Sequence, residues 1–154
     1  MEVTHEPEVN TMKLGQLLDQ KGRGAMTVEP NETLASVFGT LAEKRIGALV
    51  VCDSSDRVVG IISERDLVRS IASEGERVLS WPVANVMTKD VVTCSEDETV
   101  NDVMEKMTAG RFRHMPVVEA GKLSGVISIG DVVKHRIEEV EREAADIRAY
   151  IHAV

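Results

Sequence analysis

The sequence predicts an α+β fold: two tandem β-α-β-β-α repeats packed through their sheets, followed by a long C-terminal helix. Three observations predict it. Residues 31–51 align without a gap with residues 97–117, so the chain carries an internal repeat. Each copy shows a helical apolar period followed by two short β-branched runs. Past the second copy, apolar residues recur at alternating steps of four and three.

The elements follow in order. Met12, Leu14, Leu17 and Leu18 suggest a short amphipathic lead-in helix. A brief strand is expected at Ala25-Met26-Thr27-Val28, matched by Val91-Val92-Thr93-Cys94 in the second copy. Leu34, Val37, Phe38 and Leu41 then mark a helix, and Val100, Val103, Met104 and Met107 mark its counterpart. Strands follow at 48–52 and 115–118, polar turns at 53–56 and 119–122, and second strands at 58–62 and 123–127. A helix closes each copy, starting near Asp66 and near Asp131. Ser95-Glu96-Asp97-Glu98 fits a capping box ahead of the second copy's first helix. Pro82 interrupts regular structure and marks the junction. The expected division is a loosely attached tail at 1–11, repeats at 12–77 and 78–137, and a helical extension at 138–154. A unit of about sixty residues buries little surface alone, so the two repeats are expected to share a core.

Composition narrows the function. The 154 residues are 43% hydrophobic, enough for a globular core. A net charge of −8 and an aromatic content of 3% argue against nucleic acid as the main partner. No stretch approaches a membrane span, and the acidic N-terminal residues do not resemble a secretory signal, which points to the cytoplasm. Cys52 and Cys94 lie in or beside β-branched runs and read as small buried hydrophobes. With no clustered histidines, no metal site is expected. There is no P-loop, G-x-G-x-x-G or nucleophile motif, so an enzyme is not expected.

The segments Val86-Met87-Thr88 and Arg113-His114-Met115-Pro116-Val117 stand beside two matched stretches. These are Gly60-Ile61-Ile62-Ser63-Glu64-Arg65-Asp66 and Gly125-Val126-Ile127-Ser128-Ile129-Gly130-Asp131. With the repeat, they resemble tandem CBS repeats, a Bateman module, over residues 12–137. The resemblance implies two units related by a pseudo-twofold axis, with two clefts that bind adenosine-containing ligands. AMP or NAD(H) are the foremost candidates, which would make the chain an energy or redox sensor. It also implies a homodimer, and a separate downstream protein whose identity the sequence does not give.

The residues fit that chemistry. The carboxylates of Asp66 and Asp131 suit the vicinal hydroxyls of a ribose, with Ser63 and Ser128 adding hydroxyls. Both Ser-x-x-Asp segments equally suit helix capping. Arg113 and His114, and Arg65, are the phosphate candidates, and Gly130 offers a bare amide near a helix start. Copy one has Gly47 and Ala48 where copy two has Arg113 and His114, so either one cleft binds phosphate better or both draw on Arg113 and His114. By resemblance the adenine slots are walled by Thr27 and Val28 with Ile62, and by Val92 and Thr93 with Ile127. Gly47 and Ala48 allow close approach, and Met115 and Pro116 face the base. These apolar strand residues equally suit a core. The alternative function is a ligand-free interaction module that uses the C-terminal helix.

Overall fold

A computed structural model describes residues 12–153 of the chain. The expected tail at 1–11 lies outside the described residues. The elements run α1 (Leu14–Lys21), β1 (Thr27–Val28), α2 (Leu34–Lys44), β2 (Ala48–Cys52), β3 (Val58–Ser63) and α3 (Glu64–Glu74). Two 3-10 turns follow, at Glu76–Ser80 and Val83–Asn85. The second half holds α4 (Val100–Gly110), β4 (His114–Glu119), β5 (Lys122–Ser128) and α5 (Ile129–His152).

The repeat reappears in three dimensions down to its irregularities. Leu34, Val37 and Leu41 turn one face of α2 to the core, and Val100, Val103 and Met107 do the same on α4. Thr33 caps α2 by accepting from the Ser36 amide, and Thr99 caps α4 by accepting from the Asp102 amide. The box is thus Thr99 with Asp102, where the sequence suggested Ser95 with Glu98. Ser95 instead donates its amide to the Glu98 carboxylate at 2.7 Å, in the turn before the helix. Both helices end on an arginine in the left-handed region, Arg45 at φ 54° and Arg111 at φ 55°. Strand pairs β2·β3 and β4·β5 are antiparallel, and each ladder shifts register, after Val51 and after Val117.

The short leading strands are weaker than expected. β1 is two residues long and pairs parallel with β2. Its counterpart shrinks to one parallel bridge between Cys94 and Val117. Cys52 and Cys94 are free and buried. Burial pushes the Cys94 thiol up to about 11, so it is inert as a nucleophile at neutral pH.

The two cores exchange their lead-ins. Leu14, Leu17 and Leu18 of α1 are buried among Val100, Val103, Met115, Val117 and Ile127 of the second unit. Val78 and Val83, with Trp81 and Met87, pack on Val28, Leu34, Val37 and Ile62 of the first. Matching backbone bonds fix both attachments. The Leu14 amide donates to Glu98 O at 2.8 Å, as the Val83 amide donates to Glu32 O at 2.8 Å. The Val100 amide donates to Met12 O at 3.0 Å, as the Leu34 amide donates to Trp81 O at 3.0 Å.

Candidate functional site

Two cavities lie where the units meet, of about 420 Å³ and about 670 Å³. Both fall in the size range of small-molecule sites. Gly47, Ala48, Ile61 and His114 line both, so these residues form the partition between them. A Cβ on Gly47 would stand 3.6 Å from the His114 ring, which is ordinary contact. The small residues of copy one therefore face the imidazole of copy two across the centre.

The larger cavity gathers most of the expected polar residues. Ser63 and Asp66, at the start of α3, face Arg113 and His114, at the entry to β4. Arg65 also lines it, as do Val91 and Val92. Charged residues not expected from the sequence join them: Glu64 and Arg69 on α3, Arg111 at the end of α4 and Asp90 in the linker. Four arginines and three carboxylates, Glu64, Asp66 and Asp90, line this cavity and make it strongly charged. Ser63 and Asp66 form a capping box. The Ser63 amide and hydroxyl donate to Asp66 Oδ2 at 2.9 and 3.0 Å, and the Asp66 amide donates to the Ser63 hydroxyl at 3.3 Å. These bonds use one carboxylate oxygen and leave Asp66 Oδ1 open to accept.

The smaller cavity is built differently. Ser128 lines it with Lys21, Met26, Arg45 and Ile46. Asp131 Oδ2 accepts the Ser128 amide at 2.8 Å, repeating the first box. Here Lys21, at the end of α1, intervenes. Its Nζ lies 2.5 Å from Asp131 Oδ2 and donates to Val126 O at 2.7 Å. Burial pushes the Asp131 carboxyl up, but the Lys21 hydrogen bond and charge, with the Ser128 amide, outweigh it and hold the group below its ordinary range. Among the described residues no cation is paired with Asp66, so the two carboxylates keep different partners. His114 is shifted down, chiefly by burial, with Lys21 and Arg113 adding to the effect and Asp131 and Glu64 opposing it.

The apolar slots are not as expected. Val28, Ile62, Met115 and Ile127 are core residues, each at most 5% exposed, and Pro116 is buried beside them. None of these, nor Thr27, Thr93 or Gly130, lines either cavity. Gly130 lies exposed in the first turn of α5. The Thr93 carbonyl takes a bond from Lys106 Nζ at 3.1 Å. The physical reason is the strand period. In β3 and β5 the serine that caps the helix points to the cleft, so the preceding Ile62 and Ile127 must point to the core. The slots also cross between units. Ser63 and Asp66 meet Val91 and Val92, and Ser128 meets Ala25 and Met26. Arg45 and Arg111 sit at equivalent repeat positions, each on its own cavity, and that identity was the available signal for them.

Two repeated units with paired clefts at their junction define the class. The CBS domain family model matches residues 22–73 and 83–138, and the chain belongs to that family. The structure is similar to a CBS-domain protein from Agrobacterium tumefaciens, at 45% identity and a TM-score of 0.77, covering 88% of this chain and 99% of that one. A 17.7 kDa protein from Acidianus ambivalens is 43% identical over 70% of this chain. The chain spans 64% of that relative's length and 24% of the Arabidopsis thaliana CBSCBSPB1 protein. CBSX2, solved in complex with AMP, matches at 25% identity with a TM-score of 0.71, covering 82% of this chain and 96% of that one. Among the described residues no helix is long and apolar enough to cross a membrane, and no cluster of three or more ligating side chains forms.

Proposed function

We propose that the chain is a regulatory module that binds an adenine nucleotide in the larger cavity, with Asp66 on the ribose and Arg113, His114 and the neighbouring arginines on the phosphates. The open Oδ1 of Asp66 in one cavity with Arg111 and Arg113 of the other unit carries this reading. A carboxylate accepts from two adjacent hydroxyls, while guanidinium groups bond phosphate oxygens in pairs. Val92, 45% exposed, offers an apolar surface for the base. The AMP complex of CBSX2 supports the ligand class. AMP and NAD(H) are the foremost ligands, and the role is sensing energy or redox state for a separate protein. Asp131 lines neither cavity and is held by Lys21, so the smaller cavity is the weaker site.

A thermal-shift screen against AMP, ADP, ATP, NAD⁺, NADH and S-adenosylmethionine tests this. A ligand at one hundred times its dissociation constant adds roughly 2.7 kcal/mol, or about 2–8 °C for domains near this size. The expected result is a shift with one phosphate-bearing nucleotide that Asp66→Ala abolishes and Asp131→Ala largely keeps, each variant measured against its own ligand-free midpoint. Flat curves at millimolar concentrations would sink the reading and favour an interaction module, for which the exposed apolar stripe of α5 speaks. A shift that survives Asp66→Ala would move the site elsewhere.

A further inference from the structure

The second half of α5 is uncovered in a single copy of the chain. The helix runs 24 residues, yet every residue from 140 to 153 is exposed. Val133, Ile137, Val140, Ile147 and Ile151 form one stripe along it and are between 49% and 62% exposed. A lone helix of about 12–15 residues is marginal in water. Leaving its apolar stripe wet adds to that cost.

We propose that this stripe is covered by the same helix of a second copy, parallel and in register, as a two-stranded coiled coil from Val133 to Ile151. The flanking charges select this partner and this direction. With the stripe at the seam, Arg136 and Glu143 precede seam residues Ile137 and Ala144, while Glu141 and Arg148 follow Val140 and Ile147. In a parallel pair, each residue before the seam meets the one five positions on in the other chain. Arg136, which also reaches Glu139 of its own helix at 3.3 Å, then faces the partner's Glu141, and Glu143 faces the partner's Arg148. Twofold symmetry repeats both pairs. A fully overlapped antiparallel pair would instead set Glu141 against the partner's Glu141 and Glu143 against the partner's Glu143. The stripe lies away from both cavities, so this pairing stands or falls independently of nucleotide binding.

Light scattering on the full chain should give the mass of two copies. Ile147→Asp should halve that mass while leaving the thermal midpoint of the module and its far-UV spectrum close to wild type, since Ile147 touches no core. Glu143→Arg and Arg148→Glu should each weaken dimerisation by several-fold, and the double swap should restore it. Ile151→Cys should form an interchain disulfide on mild oxidation, with the wild-type chain and its buried cysteines as the control. In an antiparallel pair the two position-151 residues would stand about 27 Å apart and could not join. A monomeric or trimeric wild type, an undiminished Ile147→Asp dimer, a double swap no better than the single ones, or an absent crosslink would each overturn the proposal.

Discussion

His114 stands between the cavities, and its charge depends on what occupies them. Burial, reinforced by Lys21 and Arg113, disfavours the imidazolium, so the ring is neutral at pH 7. A phosphate beside it reverses the balance and favours the proton. Binding then takes up a proton, and affinity for a nucleotide whose phosphates stay ionised throughout, as those of NAD⁺ do, rises as pH falls. The expected outcome is tighter nucleotide binding at pH 6 than at pH 8, by up to about tenfold for each unit by which the ligand raises the ring's pKa. Asp131 contributes nothing to that slope, because its depressed carboxyl stays ionised throughout the range. Calorimetric titration in two buffers of different ionisation enthalpy would read the proton uptake directly. His114→Ala should flatten the pH dependence, and an equally steep slope in that variant would place the proton on another group.

At the scale of elements, the fit between each lead-in and the opposite sheet rests on a glycine. A Cβ on Gly125 would lie 2.6 Å from Leu18 Cδ2, and one on Gly60 would lie 2.4 Å from Met87 Sδ. Leu18 is fully buried and has nowhere to retreat. Gly125→Ala should therefore cost about 1–3 kcal/mol by overpacking. The Leu18→Ala, Gly125→Ala double variant should cost less than the two changes summed, because the cavity receives the added methyl. Denaturant melts of the four chains check it, and strict additivity would mean that the contact is not the cause. The two glycines were visible in the sequence as matched positions, and so were the helices and strands, because burial writes its period locally. The exchange was not visible. Lys13 leads into an α-helix, Pro82 into a 3-10 turn, and their spacing is out of step with that of Thr33 and Thr99, to which they attach. The polar half of the site was legible for the same local reason that Ser63 and Asp66 cap a helix. Its apolar half was not, since pairing Ser63 with Val92 depends on how the two units pack.

For the whole molecule, exchanged lead-ins make each core depend on chain from the other side of the junction. Loss of Leu14, fully buried in the second unit's core, should disturb the first unit as well, because α1 and the Pro82–Met87 segment anchor opposite ends of one arrangement. The chain supplies its own reporter. Trp81 is the one tryptophan of the sequence and packs on the first unit's core, remote in sequence from Leu14. Leu14→Ala should cost about 2–5 kcal/mol, as a leucine truncated in a core does. If the molecule is one cooperative unit, the Trp81 fluorescence transition moves to lower denaturant by the same amount as the far-UV transition. A Trp81 transition that stays at its wild-type midpoint while the circular dichroism splits in two would show that the units fold separately. A ligand in the larger cavity, which touches α3 of one unit and the entry to β4 of the other, should then restore a single transition.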